Sequence, residues 1–241
     1  MVQDAPYPKS ENRETASDNV EDDGWNPTCA DASSGYASHM PPSDIRKRKQ
    51  AELDRIAAEI AACETCKREK VGMPVPGEGN PDADIVFIGE APGKNEAKSG
   101  RPFIGRAGKV LREMIASIGL KDEDVFITSP VKYLPVHVTP TPEEVAHGRI
   151  HLFEQFAVIQ PKVVVLLGRV AALAVLQKKI SPAEVRGTAI EQDGYTYFLT
   201  YHPAATLYSP IPRKPMEEDF KTLKKLIAKM KKPAKKKDGT G

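Results

Sequence analysis

The sequence lacks any apolar run of the roughly 18 residues that a membrane-spanning helix needs, and no apolar signal-peptide core follows its acidic, polar amino terminus. We therefore expect a cytoplasmic, intracellular protein without a membrane partner. The chain also has only three cysteines in 241 residues, which excludes the disulfide framework of a small secreted protein. With 40% hydrophobic residues, it can bury one sizeable core.

The net charge of +2 hides an uneven distribution of charge along the chain. Residues 1–42 are acidic, rich in serine and poor in aliphatic side chains, which predicts a disordered extension. A folded domain is expected over residues 43–231, followed by a basic tail at 232–241. The lysines near that end, Lys224 and Lys225 among them, are either the solvated face of a helix or contacts to nucleic-acid phosphates.

Four segments have the continuous apolar character of strands that are buried on both faces, and helical patterns separate them. The predicted strands are residues 84–90, 125–129, 162–168 and 195–201. One intervening helix has a clear start, because Thr141 and Glu144 have the spacing of a capping box and Pro142 suits the first turn. The alternation predicts a single-domain α/β fold of three layers (αβα) around a central, mainly parallel, four-stranded sheet.

The first predicted strand runs into a loop that is rich in glycine and proline, residues 88–108. At the carboxyl edge of a parallel sheet, such a loop presents backbone N–H groups to a ligand. The stretch from Gly89 to Lys94 is one residue too short for a phosphate-binding P-loop, and Asn95 replaces the hydroxyl residue. Nucleotide hydrolysis is therefore disfavoured, and the loop is either a tight structural turn or one wall of a ligand site.

Three motifs together resemble the uracil-DNA glycosylase superfamily, and most of all its family 4, the thermostable iron–sulfur type. They are Gly-Glu-Ala-Pro-Gly at residues 89–93, Gly-Arg-Pro-Phe-Ile-Gly at 100–105 and Tyr-His-Pro-Ala-Ala at 201–205. The resemblance implies a three-layer α/β domain that flips uracil, or another deaminated base, out of single- or double-stranded DNA and hydrolyses its N-glycosidic bond. It implies a monofunctional enzyme that needs no cofactor for the chemistry, and we expect a monomer.

The resemblance also implies roles for residues around a base pocket. His202 would donate a hydrogen bond to the departing uracil as negative charge develops on it. Glu90 would either polarise the attacking water or organise its own loop. Phe103 would stack on the flipped base, with Gly89 and Ala91 beside it in the substrate site. Without the companion motifs, Phe103 would be interpreted as a core residue and His202 as a turn residue.

The residues after the histidine lie where related enzymes push a side chain into the gap left by the flipped nucleotide. Leu207 is the predicted wedge in DNA, and Tyr208 is the alternative. The same segment could instead pack back on the last helix.

Ser129 departs from the family 4 pattern, which usually has asparagine at the end of the second strand, where its amide pairs with the uracil edge. An asparagine amide holds a donor and an acceptor in fixed relation, whereas a serine hydroxyl is shorter and rotates. We therefore expect Ser129 to contact the base with weaker discrimination between uracil and bases such as hypoxanthine.

Cysteine usage departs from family 4 as well, because that family holds a four-iron cluster on four cysteines. Cys63 and Cys66 match the first two positions, whereas the other two are occupied by Tyr133 and Gly148. A four-cysteine cluster therefore cannot form. The remaining cysteine, Cys29, is expected to be a bystander.

Two histidines lie close to the position of the missing cysteine. His147 and His151 are four residues apart on one predicted helix, so both rings can face the same side. With Cys63 and Cys66 they supply the ligand types of a tetrahedral zinc site. A structural zinc ion and a metal-free pair of thiols are the main alternatives, ahead of a two-histidine, two-cysteine iron–sulfur cluster.

The sequence leaves two other classes of function open. Loss of the family asparagine and of two cysteines fits a protein on the same scaffold that binds damaged or single-stranded DNA with little or no cleavage. A thiol-disulfide oxidoreductase built on Cys63 and Cys66 is disfavoured, because the pair precedes the βα units and does not lie in a strand-to-helix turn.

Overall fold

The structure, a computed structural model, describes residues 41–178, 180–208 and 213–230, without the side chains of Pro182 and Tyr208. The predicted extension at 1–42 falls almost wholly outside the described residues, and Cys29 and the predicted tail at 232–241 fall outside them too. The described chain begins with a helix at Pro42, next to the predicted start of the folded domain. The domain boundaries stay predictions.

Helices and strands alternate along the described chain. The helices are α1 Pro42–Ala62, α2 Glu64–Lys67, α3 Lys94–Ser99, α4 Arg106–Ser117, α5 Pro142–Ile159, α6 Gly168–Leu176, α7 Pro182–Val185, α8 Ala205–Tyr208 and α9 Arg213–Met230. The strands are β1 Lys70–Val71, β2 Glu78–Gly79, β3 Ile85–Ile88, β4 Val125–Thr128, β5 Leu134–Pro135, β6 Val163–Leu167, β7 Ala189–Gln192 and β8 Tyr195–Thr200. None of the helices in the described ranges is both long and apolar enough to cross a membrane.

The central sheet has the strand order β2-β4-β3-β6-β8-β7. Its inner strands β4, β3, β6 and β8 are the four predicted ones and run parallel, so the three-layer α/β fold is confirmed. The predicted count of four is too low, because β2 and β7 add antiparallel edge strands. The sequence pattern misses them since β2 has two residues and β7 alternates between exposed and half-buried side chains. Strands β1 and β5 form a separate two-stranded sheet.

Helices cover both faces of the sheet and divide the core into two layers. Side chains of α1, α5 and α6 fill one layer, including Ile56, Ile60, Leu152, Phe156 and Ala172. Side chains of α4 and α9 fill the other, including Leu111, Met114, Phe220 and Leu223. Phe87 of β3 stacks on Phe220 with 6.0 Å between the ring centroids. Each large apolar side chain buried in this way contributes roughly 1.5–3 kcal/mol.

Helix α5 starts where the sequence predicts. The Thr141 hydroxyl accepts the N–H of Glu144 at 3.2 Å, and the Glu144 carboxylate accepts the N–H of Thr141 at 2.7 Å. This capping box fixes the beginning of α5. It thereby sets the positions of His147 and His151, one turn apart on the same helix.

Parallel pairing brings four strand ends to one edge of the sheet. Ile88 at the end of β3 pairs with Thr128 of β4 and Leu166 of β6, and Leu167 pairs with Thr200 of β8. Open α/β sheets bind ligands at this carboxyl edge. The residues that directly follow the strand ends are Gly89, Ser129, Gly168 and Tyr201.

Candidate active site and metal-ligand cluster

A pocket of about 180 Å³ opens at the carboxyl edge of the sheet. Sites for drug-sized ligands occupy roughly 300 Å³ or more, so this pocket suits a single small ring. Its lining brings together four of the predicted substrate and catalytic residues, Ala91, Phe103, Ser129 and His202. The other lining residues are Val75, Pro92, Gly93, Glu96, Pro102, Ala107, Gly108 and Ala204.

Two glycines make room for Phe103 at the pocket wall. A Cβ on Gly89 would lie 2.6 Å from the Phe103 ring, and a Cβ on Gly108 would lie 1.7 Å from the Phe103 carbonyl oxygen. Phe103 itself has a φ of 51°, a backbone conformation that few residues other than glycine adopt. Its ring lies 5.8 Å from the His202 ring, centroid to centroid, with the planes at 34°. The missing side chain at Gly89 therefore leaves room for the Phe103 ring, which forms an aromatic wall of the pocket.

Glu96 organises this loop, and the sequence analysis missed it. Its carboxylate accepts the N–H of Ile104 at 2.8 Å and that of Gly105 at 2.7 Å. Gly105 is the N-cap of α4 and has no side chain to cap the helix. A carboxylate from α3 thus occupies the positive end of α4. The glycine at an N-cap, where Ser, Thr, Asp or Asn is usual, is the signal that could have revealed a distant cap.

His202 follows β8 and offers one fixed hydrogen-bond donor to the pocket. Its Nδ1 accepts the N–H of Ala204 at 3.1 Å, so the proton of the neutral ring lies on Nε2. Burial lowers the pKa of His202 to about 4, which keeps the ring neutral at physiological pH. Gly168 leaves space for it, because a Cβ there would lie 3.0 Å from the Cβ of His202.

Glu90 is half-buried beside the pocket, whose described lining includes Ala91 and leaves out Glu90. Burial raises the pKa of Glu90, and the charge of Arg169 opposes that rise. Arg169 is the second residue of α6, at the same edge of the sheet. The sequence analysis did not single it out, because its proximity to Glu90 arises from strand order and has no local signal. Both predicted roles of Glu90 stay open.

Ser129 lines the pocket with a hydroxyl that is already used as a donor. The buried Oγ donates to the carbonyl oxygen of Val131 at 2.8 Å. The hydroxyl can therefore only accept a hydrogen bond from a ligand. The sequence analysis had left it free to donate or to accept.

Of the two predicted wedge residues, Leu207 lies in α8, directly after the His202 segment, and is 36% exposed. The side chain of Tyr208 lies outside the described residues. Leu207 is thus an exposed apolar group close to the pocket in sequence, as the predicted wedge requires.

The predicted lysine contacts lie farther away. Lys224 and Lys225 are exposed on α9. The first half of this helix lies at the carboxyl edge of the sheet, where Asp219 accepts a hydrogen bond from Thr200. The helix ends at the opposite edge, where Met230 lies near the first residues of β6 and β8. Both lysines are on the half of α9 that leads away from the pocket, so the structure does not bring them to the site.

The four predicted metal ligands form a compact cluster between α2 and α5. One ligand atom from each of Cys63, Cys66, His147 and His151 lies within 4.8 Å of the other three. Cys63 Sγ and His147 Nε2 are 3.2 Å apart, although 84 positions separate the two residues. A single ion bound tetrahedrally at about 2.0–2.3 Å requires ligand atoms this close together. The four residues could therefore hold one metal ion.

The histidines of the cluster have the surroundings of metal ligands. His151 Nε2 is buried with no hydrogen-bond partner among the described residues, while its Nδ1 lies 3.1 Å from the Glu154 carboxylate. In metal sites, a carboxylate on one ring nitrogen commonly orients the other nitrogen toward the ion. Burial, with the neighbouring charge of His151, lowers the pKa of His147 and so favours the neutral form that binds metals.

An iron–sulfur cluster does not fit these residues. A Cβ on Gly148 would lie 2.1 Å from the carbonyl oxygen of Pro130, so no cysteine side chain can be accommodated there, and Tyr133 is buried in the core. A two-histidine, two-cysteine cluster binds its cysteines to one iron and its histidines to the other. Here one cysteine, Cys63, lies 3.2 Å from one histidine, His147, a spacing that fits ligands of one shared ion better than ligands of two separate irons.

Cys66 does not have the properties of an attacking redox thiol. Cys63 and Cys66 are free, and burial, together with Cys63, raises the pKa of Cys66 to about 12. An attacking cysteine has a lowered pKa because the thiolate is the reactive form. The main argument against an oxidoreductase stays the place of the pair, which precedes the βα units.

The comparisons with known proteins define the class of the chain. The profile described as "Uracil DNA glycosylase superfamily" matches residues 76–226. The chain belongs to the uracil DNA glycosylase superfamily. Within it, the chain is most like family 4: it is 43% identical to the type-4 uracil-DNA glycosylase of Archaeoglobus fulgidus over 187 residues, 73% of this chain and 94% of the relative.

Other relatives agree with this placement. The type-4 uracil-DNA glycosylase of Saccharolobus solfataricus is 44% identical over 188 residues, covering 73% of this chain and 87% of the relative. The type-5 uracil-DNA glycosylase of Thermus thermophilus is 36% identical over 118 residues, covering 43% of this chain and 54% of the relative. The resemblance predicted from the motifs is confirmed.

The lowered pKa of His202 predicts how stability depends on pH. The unfolded chain binds a proton at His202 near pH 6.5, whereas the folded chain stays neutral there until about pH 4. The contribution is therefore fully present above pH 6.5 and is lost progressively as the pH falls from 6.5 to about 4, by about 3 kcal/mol in total. Urea unfolding between pH 4 and 8 should show a shallower loss in His202→Gln than in the natural chain. The same pH profile in both proteins would contradict the assignment.

Proposed function

We propose that the protein is a monofunctional DNA repair glycosylase that excises uracil from DNA. The observation that carries the proposal is that the Phe103 ring and the neutral His202 ring, with its Nε2–H, lie side by side in the lining of one pocket the size of a single ring. Phe103 supplies a stacking surface for any flat base, and His202 supplies a hydrogen-bond donor to the negative charge that develops on the departing base. Membership of the glycosylase superfamily supports the same reaction.

The reaction begins when the uracil nucleotide leaves the duplex, at a cost of a few kcal/mol for unstacking. Phe103 stacks on the flipped base and Leu207 fills the gap in the duplex. The bond between C1′ and N1 then breaks, and its electron pair remains on the uracil. The His202 Nε2–H donates a hydrogen bond to this anion, and water captures the oxocarbenium-like sugar. Glu90 either polarises that water or organises the glycine loop.

We propose that water, and not an amine, captures the sugar. None of the described residues that line the pocket is a lysine. The buried amine of Lys132 is held by three hydrogen bonds and does not line the pocket, which supports this proposal. The product is therefore an abasic site with an intact strand. We propose that a monomer acts on single- or double-stranded DNA.

The reaction is tested with oligonucleotides that carry one uracil, as single strands and as duplexes, followed by alkaline cleavage of abasic sites. The natural chain should excise uracil, and His202→Ala should slow single-turnover excision by about 10²–10³-fold, because a preorganised donor to the developing anion is lost. His137→Ala is the matched control, since this exposed histidine does not line the pocket, and its rate should be unchanged.

Two results would contradict the proposal. Near-normal excision by His202→Ala would remove the histidine from the mechanism. Binding of uracil-containing DNA by the natural chain without any strand scission would favour a damage-binding protein on the same scaffold.

We further propose that Ser129 broadens the choice of base. Its hydroxyl accepts only, because its hydrogen is donated to Val131. Uracil and hypoxanthine both present an N–H beside a carbonyl group, but this edge lies farther from the glycosidic bond in hypoxanthine. A single acceptor contacts only the N–H and tolerates a shift of the edge, whereas an asparagine amide must match the N–H and the carbonyl oxygen together in one position.

The expected result is that Ser129→Asn raises the ratio of uracil to hypoxanthine excision by about tenfold, which corresponds to one hydrogen bond of about 1.4 kcal/mol. Ser129→Ala should slow uracil excision without sharpening the ratio. Single-turnover rates on matched oligonucleotides measure both. The idea fails if the natural chain already discriminates as sharply as the asparagine variant, or if Ser129→Ala excises uracil at the natural rate.

The cluster of Cys63, Cys66, His147 and His151 is proposed to hold one structural zinc ion. Two thiolates and two neutral imidazoles are a common tetrahedral ligand set for zinc. The cluster is not part of the base pocket, and the ion would tie α2 to α5 by joining residues that are 84 positions apart. No step of the proposed reaction depends on it.

Elemental analysis of the purified full chain should find about one zinc per molecule and no iron. Cobalt substitution should give the visible absorption of thiolate ligands. Glu154→Ala should weaken zinc binding about 10–100-fold, the usual effect of losing an outer-shell carboxylate. Glu184→Ala, on the surface of α7, is the control and should bind zinc normally. Protein without stoichiometric metal, or with iron and sulfide, would contradict the proposal.

A further inference from the structure

Lys132 is a buried lysine that the proposed reaction does not use. It is 1% exposed and lies four residues after the end of β4, and its side chain folds back toward that strand. The Nζ donates to Thr128 Oγ1 at 2.8 Å, to Gln155 Oε1 at 2.9 Å and to the carbonyl oxygen of Pro76 at 3.2 Å. These three partners come from β4, from α5 and from the segment before β2, and all are uncharged.

A lysine in this position lowers the stability of the fold. Burial lowers the pKa of Lys132 to about 7 although the charge of Glu154 opposes the change, so the site disfavours the ammonium. Buried charges are usually paired with an opposite charge, and no carboxylate is among the hydrogen-bond partners of this amine in the described structure. Replacing buried ionic groups by apolar ones of similar volume is often neutral or stabilising. Packing alone would be served as well by methionine.

The groups that the lysine holds are walls of the base pocket. The Lys132 carbonyl oxygen accepts the N–H of Val75 at 2.7 Å, and Val75 is buried with its side chain in the pocket lining. The next residue, Pro76, presents its carbonyl oxygen to the Lys132 amine and also to Gln155 Nε2 at 2.7 Å. Backbone and side chain of one lysine thus fix Val75, which lines the pocket, and Pro76, the residue after it.

The same amine is connected to a second part of the lining through Thr128. The hydroxyl of Thr128 contacts the Lys132 amine, and its carbonyl oxygen accepts the N–H of Gly89 at 2.9 Å. Gly89 supports the Phe103 ring, and Ser129 directly follows Thr128. The Val75 wall, the Ser129 wall and the glycine loop therefore meet at Lys132.

We infer that Lys132 is a positioning residue of the base pocket, whose amine sets the distance between the Val75 wall and the Ser129 wall. This inference rests on the proposed excision of uracil. Catalysis depends on the geometry of the bound base, and a misplacement of about 1 Å can slow an enzyme about a hundredfold. The buried amine then lowers the stability of the fold but holds the pocket in one shape.

The test compares Lys132→Met with the natural full chain on the uracil oligonucleotide. The thermal midpoint should be unchanged or higher, because the buried charge is removed. The Kd for uracil-containing DNA should stay within about twofold, since backbone contacts dominate affinity. The single-turnover excision rate should fall at least about tenfold. Lys162→Met, an exposed lysine at the amino edge of the sheet, is the control and should excise at the natural rate.

If Lys132→Met folds stably but excises uracil slowly, the lysine positions the pocket and does not merely stabilise the fold. If Lys132→Met unfolds, Thr128→Val takes its place, because it keeps the shape of the side chain and removes the hydroxyl through which the amine, Pro76 and Gln155 are joined. It should excise more slowly than the natural chain with an unchanged Kd. Natural excision by the folded variant, or a loss that only follows the folded fraction, overturns the inference. Failure of the natural chain itself to excise uracil would instead overturn the proposed function.

Discussion

The register of β3 between two parallel strands is the constraint on which the rest of the site depends. Ile88 pairs with Thr128 on one side and with Leu166 on the other. A slip of one residue would turn every side chain of the strand to the opposite helix layer, so burial on both faces fixes the register. The N–H of Gly89 continues the pairing by donating to the Thr128 carbonyl oxygen at 2.9 Å. That hydrogen bond places the glycine loop beside Ser129.

Close packing around two residues of the pocket explains the glycines that this register brings to the site. A Cβ on Gly89 would meet the Phe103 ring, one on Gly108 would meet the Phe103 backbone, and one on Gly168 would press on the Cβ of His202. In a P-loop the glycines let the backbone wrap a phosphate. Here they let the chain pack closely around Phe103 and His202.

Local features of the fold could be predicted from the sequence, and long-range contacts could not. The four inner strands and the capping box of α5 depend on burial and on neighbours within a few residues, so their patterns are visible in the chain. Phe103, Ser129 and His202 were found because motifs surround them. The Lys132 contact to Pro76 joins residues 56 positions apart, and a lysine alone predicts a surface position. Glu96 and Arg169 were missed for the same reason, because strand order and loop folding bring them to the site.

The segment from Ser129 to Tyr133 connects the base pocket to the metal-ligand cluster. Ser129 lines the pocket, whereas Tyr133 packs in the core layer that contains Cys66. Between them, the Pro130 carbonyl oxygen lies so close to Gly148 that a side chain there would collide with it. Helix α5 therefore lies nearer to this segment than a cysteine at that position would permit. The glycine is explained by close packing of the helix against the chain that ends in the pocket wall, so the altered ligand set and the rigid pocket wall are consequences of the same helix position.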